Sequence, residues 1–378
     1  MRILLTPFII CLLLLSCSSG KKAFERGDYY NSTLLAVNRL RSNPNSEKAL
    51  QAVKDSYPMS ITYFQGKIDY AISTNNALKY SEVVDYYEKM NRLSDEISRC
   101  PAAMKLFSKL NYYTIELVQA RKLAAEEQYV AGLANEKLNT RLSWKDAYYN
   151  YQQTDRFVPG YKDVKGRLLE AKYNATLKVI VERIAVSRKY QLSSDFFLNQ
   201  IIENLMRYRP NEFVEYFSPE SADKTGIKNP DQLLRMSFDD FVIGQSYDKE
   251  TVREVSRDSV EVGTVTLADG KKVKAYNTVR AKLRVNRREL ISSGVLDVTI
   301  IDLASNNIVS QRKFPGQYVW FVEWGSFNGD ERALTDQEYA MCNRKPIPAP
   351  GAQVLFSEFT KPIFNQVTPF LKSFYQQY

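Results

Sequence analysis

Near Ala175 the spacing of apolar residues changes, and that change limits what the chain can fold into. From Lys21 to about Lys172 apolar residues recur at helical spacing among Ala, Leu, Tyr, Glu and Lys, with few glycines. Beyond it, Leu177, Val179 and Val181 alternate with polar neighbours, the pattern of a strand buried on one face. A run of helices followed by strands mixed with helices predicts two domains with separate cores. The boundaries expected are 17–172 for a helical domain and 173–378 for a mixed α/β domain, after an amino-terminal segment 1–16. With 44% hydrophobic and 25% charged residues over 378 positions, both parts can bury ordinary cores.

Within the helical half one frame recurs three times. Gly27-Asp28-Tyr29-Tyr30 precedes Ala36 and Leu40 and ends at Asn43-Pro44-Asn45. Lys79-Tyr80-Ser81-Glu82-Val83-Val84-Asp85-Tyr86-Tyr87-Glu88-Lys89-Met90 follows the same order, and so does Trp144-Lys145-Asp146-Ala147 with Tyr151 and Pro159. This resembles the second half of a tetratricopeptide (TPR) repeat, where small residues let helices approach and proline stops them. The copies are degenerate: Arg39 stands where the family prefers a small residue, and Asp95 where proline is expected. A non-repetitive bundle needs similar apolar positions and is the competing reading. A TPR-like array implies a curved surface for proteins or peptides and no chemistry of its own. Tyr87 and Tyr151 match packing positions, so Tyr86 and one of Tyr148 or Tyr149 are the expected contact residues.

In the second half, Ser193-Ser194-Asp195 offers a helix cap before Phe196, and Phe213 to Phe217 reads as a short strand. Asn229-Pro230-Asp231 predicts a short helix through Met236, with a strand returning at Phe241-Val242-Ile243-Gly244. Strands are expected at about Val252–Val265, Lys272–Val285 and Gly294–Leu303, the first two joined by a hairpin at Ala268-Asp269-Gly270. Asn306-Asn307 turns the chain into Ile308–Phe314. A last helix spans about Gln353 to Tyr375, with Pro362 and Pro369 as sites of a kink. No alternating hairpin pair long enough for a membrane barrel is evident.

This order is similar to the α/β domain shared by the curli-secretion lipoprotein CsgG and the amino-terminal domain of TolB. The likeness rests on the strand near Val179, the Phe196–Met206 helix, the strand at Phe241–Gly244 and that at Gly294–Leu303. It covers about half the chain. The Lys249–Val273 excursion and the Trp320–Tyr339 segment have no place in that pattern.

The amino terminus supplies an address. Arg2 precedes an apolar run from Ile3 to Leu15 that is short for a membrane span and reads as an export signal. Leu14-Leu15-Ser16-Cys17 resembles the lipobox of bacterial lipoproteins, which implies cleavage before Cys17 and acylation of its thiol with diacylglycerol. Leu15 is an unusual residue in that motif, and an ordinary signal peptide is the alternative. Ser18 and Lys21-Lys22 differ from known retention and surface-export signals. The two family comparisons imply the periplasmic face of a cell outer membrane.

Composition narrows the chemistry. The chain has no histidine, which excludes Ser-His-Asp and Cys-His catalysis and removes the commonest ligand for transition metals. No phosphate-binding loop or dinucleotide fingerprint is present. No metal or other cofactor is expected. Of 52 basic residues one, Arg2, lies in segment 1–16, so 51 face 43 acidic residues, a surplus of +8 spread along the chain. Spread charge argues against nucleic acid, and an exported, tethered protein is expected to meet anionic headgroups or envelope polymers instead. Cys100 and Cys342 lie far apart and in different expected domains; free thiols are favoured over a disulfide.

Two constellations remain. Arg280, Lys282, Arg284 and Arg288 share one side of a strand opposite Val279, Ala281, Leu283 and Val285. A solvated strand face is the favoured reading over an anion site. Trp320 and Trp324 in Tyr318-Val319-Trp320-Phe321-Val322-Glu323-Trp324 share a face and serve either to stack on a sugar or peptide or to fill a core. Asp330 and Glu331 point apart, against a paired-carboxylate site. The leading expectation is therefore a non-enzymatic, lipid-anchored envelope scaffold or adaptor that binds other envelope proteins. A CsgG-like oligomeric secretion or assembly component comes second, and a carboxylate-dependent envelope polysaccharide enzyme last.

Overall fold

The computed structural model describes residues 20–208, 211–227, 229–345 and 347–378. Among these, twelve α-helices and a five-stranded mixed sheet combine as α + α/β, with the helices first and an open sheet flanked by helices after them. The chain divides into two compact units between Ala175 and Thr176. Cys17 and the segment before it lie outside the described residues.

The helical unit contains α1 (Lys21–Glu25), α2 (Tyr29–Ser42), α3 (Glu47–Ser73), α4 (Lys79–Ser98), α5 (Pro101–Met104), α6 (Thr114–Leu138), α7 (Arg141–Phe157) and α8 (Val164–Ala175). The long helices pack mainly on their neighbours in sequence. Local chemistry explains their starts. Asp28 accepts a hydrogen bond from the Asn31 N–H at the head of α2, behind Gly27 at φ 79. Thr140 and Ser143 cap α7 reciprocally. Ala36 and Ala147 are fully buried where helices approach.

The second unit contains β1 (Leu177–Val181), α9 (Gln191–Arg207), β2 (Val214–Phe217), α10 (Pro219–Thr225), β3 (Gln232–Thr266), β4 (Lys272–Asp302), β5 (Asn307–Gly329), α11 (Asp336–Cys342) and α12 (Ala352–Gln376). The strand order is β2-β1-β3-β4-β5. β1 runs parallel to β2 and β3, while β3, β4 and β5 form an antiparallel meander.

Several local expectations are corrected. The helix expected through Met236 is the start of β3, because Gln232, Leu234 and Met236 are buried in alternation. Asp231 caps no helix; its Oδ2 accepts the Lys178 N–H at 2.7 Å. Ser194 does not cap α9, which begins at Gln191; the buried Ser194 hydroxyl donates to the Ile184 carbonyl. The separate strands expected between residues 240 and 303 are two strands of 35 and 31 residues, with β5 adding 23. The hairpins they form are longer than the sequence pattern indicates. Register shifts on β3 near Asp240, Gln245, Val260 and Gly263, with Gly244 at φ 67 and Ser259 at φ 57, break the alternation along the sequence without ending the ladder. The Trp320–Tyr339 segment continues β5 and then folds back as a 3₁₀ turn (Glu331–Ala333) and α11.

The long strands carry two cores. Near the base, even-numbered β4 residues Leu296, Val298 and Ile300 pack with Phe197, Ile201 and Leu205 of α9 and Phe356, Phe359 and Ile363 of α12. Toward the hairpin, odd-numbered Val279, Ala281 and Leu283 pack with Ala333 and Leu334, with Phe327 and Cys342 alongside. Alternate residues of a strand face opposite ways, so the two cores lie on opposite faces of β4. Gly294 and Gly316 admit α12 closely, since a Cβ on Gly316 would sit 2.5 Å from both Ile363 Cγ1 and the Phe359 carbonyl oxygen. Cys100 is buried and Cys342 half-buried, both as free thiols.

Candidate functional site

The tyrosines of the helical unit separate by what they touch. Tyr86 stacks on Phe64 with ring centroids 5.8 Å apart and is half-buried, so it packs rather than projects. Tyr87 lies beside Tyr113 at 5.6 Å, and burial pushes its hydroxyl above the usual tyrosine range. Tyr151 is fully buried. Tyr148 is half-buried against the cluster around Ala147 and Tyr151. Tyr149, 41% exposed, meets Tyr148 edge-on. Of the three tyrosines singled out for contact, Tyr149 is the exposed one.

Sequence reasoning missed a polar network that joins α6, α7 and α8. The Tyr151 hydroxyl donates to Glu136 Oε1 at 2.6 Å, and Arg167 Nη1 donates to Glu136 Oε2 at 2.7 Å. Arg167 Nε reaches both Asp163 Oδ2 and the Tyr129 hydroxyl, which itself donates to Asp163 Oδ1 at 2.6 Å. Tyr161 donates to Glu126, and the Lys162 ammonium reaches the same carboxylate at 2.6 Å. Burial, followed by Glu136, raises the Tyr151 hydroxyl far above its ordinary range. The hydrogen bond to Asp163 raises the Tyr129 hydroxyl above its ordinary value, and that to Glu126 raises the Tyr161 hydroxyl. These side chains satisfy one another, which makes the network a clasp. The only local sequence signal is the Asp163–Arg167 pair at helical spacing.

A second feature that sequence reasoning missed is exposed apolar surface. On α6, Ile115 (73% exposed), Val118, Leu123 and Val130 face solvent, as do Tyr63 and Tyr70 (69%) on α3. The signal was present in α6, whose apolar residues occupy more of its circumference than one buried stripe requires.

On the sheet, Trp320 and Trp324 are half-buried and belong to neither core; Tyr318, on the same face, packs at the edge of the α12 core. The Arg288 guanidinium lies 5.9 Å from the Trp324 ring and is held by both oxygens of Asp248 at 2.8 and 2.9 Å. Arg284 pairs with Glu250 at 3.4 Å. Arg280, Lys282, Arg284 and Arg288 all lie on an exposed face, two of them already neutralised by partners on β3. Asp330 is held by Arg332, which lowers its carboxyl to about 2. Among the described residues no group of three His, Cys, Asp or Glu side chains could hold a metal ion, and no helix is long and apolar enough to cross a membrane.

No family model matches the chain, and neither does any curated protein. Among solved structures it is similar to the crystal structure of a neuraminyllactose-binding hemagglutinin homolog from Helicobacter pylori. The TM-score is 0.23 at 10% identity, over 52% of this chain and 84% of that one. A likeness at that level assigns no function.

Proposed function

We infer that the chain is a lipid-anchored cell-envelope adaptor whose helical unit binds other envelope proteins, with the anchor at Cys17 on the periplasmic face of an outer membrane. The observation that carries the reading is the apolar surface of α6 and α3, since exposed aliphatic and aromatic side chains favour protein contact. The lipobox-like Leu14-Leu15-Ser16-Cys17 supports the anchor, because each buried methylene of an acyl chain adds about 0.8 kcal/mol of membrane affinity. The test is crosslinked affinity capture of the membrane-borne protein, with Ile115→Glu and Tyr70→Glu as variants. Loss of captured proteins at unchanged melting temperature is expected. An unchanged set of captured proteins in both variants removes the adaptor reading, and equal membrane recovery of Cys17→Ala removes the anchor.

A second reading, an oligomeric secretion or assembly component resembling CsgG, is favoured by the long β3-β4-β5 ribbon, whose outer edges beyond Leu234 have no strand partner among the described residues. Two features argue against a lipid-facing wall: one face carries Arg280, Lys282, Arg284 and Arg288, and around Val279, Ala281 and Leu283 the other is covered by α11 and the 3₁₀ turn. A ring of copies seen by electron microscopy would support this reading.

A further inference from the structure

β5 pairs on one side with β4 in unbroken register from Ser310 to Gly329. Its other side is an edge, and Pro315 reveals which backbone groups face it. Pro315 has no N–H and sits within the ladder, and its carbonyl accepts Gln366 Nε2 of α12 at 2.9 Å. Its backbone therefore points away from β4, and by alternation so do the N–H and C=O groups of Gln317, Val319, Phe321 and Glu323. Among the described residues these groups have no backbone partner. Pro315 and Gln366 close the edge at its base. Beyond them it lies open, with Val319 41% and Phe321 52% exposed.

The two edges of the ribbon are built differently. The outer edge of β3 carries Asp248, Lys249, Glu250, Arg253, Glu254, Arg257 and Asp258, a density of charge that discourages strand addition. Between Gln317 and Gly329, β5 has a single charge, Glu323, already bound by Arg287 at 2.9 Å. Tyr318-Val319-Trp320-Phe321-Val322 is uncharged, aromatic and β-branched, the composition that adds strands most readily.

We propose that a second copy of this chain pairs antiparallel along Gln317–Glu323 of β5 and joins the two sheets across a two-fold axis. A copy of the same edge suits it because neither strand brings a repelling charge. With the axis at Trp320, Val319 faces Phe321 of the second copy and Glu323 faces Gln317, so the carboxylates do not meet. Aromatic and β-branched side chains then lie side by side across the junction, the stabilising kind of cross-strand pair. A charged peptide would find on this edge only Glu323 and the Arg287 guanidinium that lies over Phe321, which already pair with each other. Two-fold pairing also closes on itself, whereas β5 against β3 would leave edges free and propagate.

The test is the mass of the full chain in detergent by sedimentation or light scattering, for the parent, Val319→Pro and Val319→Lys. Val319→Pro removes an outward N–H and no bond to β4; Val319→Lys adds the charge this edge lacks. The expected result is two copies for the parent and one for each variant, with unchanged circular dichroism. If the proline variant misfolds, the lysine variant decides. A single copy for the parent, a ring of more than two, or a dimer that survives in a folded variant overturns the proposal. None of these outcomes bears on partner capture by the helical unit, and a ring would favour the secretion reading instead.

Discussion

Gly132 of α6 lies flat against the ring of Tyr151 of α7: a methyl on its Cα would fall well inside contact distance of Tyr151 Cε1 and 2.7 Å from Cζ. The ring cannot give way, because it is fully buried and its hydroxyl is tied to Glu136. Gly132→Ala should therefore overpack the α6–α7 contact and destabilise the chain by about 1–3 kcal/mol, more than the gain in helix propensity recovers. Gly66, exposed within α3, has nothing within 4 Å of a built Cβ. Gly66→Ala should raise stability by about 0.5–1 kcal/mol. Denaturation midpoints of the two variants should move in opposite directions.

Asp231 ties three strands together. Its carboxylate accepts the Lys178 N–H, its own N–H donates to the Lys178 carbonyl at 2.9 Å, and its carbonyl accepts the Leu303 N–H at 2.9 Å. Asp231→Ala leaves the Lys178 donor without that acceptor and should cost about 1–3 kcal/mol. Asp231→Asn keeps an oxygen in place and should recover much of the loss. Equal melting of the two variants would contradict this role.

The clasp predicts weakness in alkali. Tyr129, Tyr151 and Tyr161 all have hydroxyls raised above the unfolded value near 10. A raised folded-state value means that the folded chain holds protons that the unfolded chain releases, so stability is intact below about pH 10 and falls as pH climbs beyond it. The melting temperature should drop through that range, and less steeply in Tyr151→Phe. A parallel fall in parent and variant would show that other groups dominate.

The tyrosine pairs predict a division of labour. Tyr86→Ala removes a ring stacked on Phe64 and should lower stability by about 1–3 kcal/mol, less than a fully buried aromatic. Tyr149→Ala should leave melting nearly unchanged while weakening capture, the behaviour of an exposed aromatic anchor. A melting curve and a pull-down on each variant check both statements.

Much of the architecture was legible before the structure. The helical spacing up to Lys172, the alternation from Leu177 and the turn at Asp269-Gly270 each depend on residues close in sequence, and β3 and β4 meet at that turn. The continuity of β3 was illegible, because Gly244 and Ser259 take left-handed conformations inside a ladder instead of ending it. The clasp was illegible for another reason: Glu136, Tyr151 and Arg167 come from three helices, and nothing local marks them as neighbours.

β4 shows where the division falls. Its sequence alone determined that alternate residues differ in character, Arg280, Lys282 and Arg284 on one side and Val279, Ala281 and Leu283 on the other. Only the tertiary structure decided that the odd residues are buried near the hairpin and the even ones at the base. Periodicity records two faces of a strand, whereas α11 and α12, arriving from later in the chain on opposite sides, decide which face loses its water at each point.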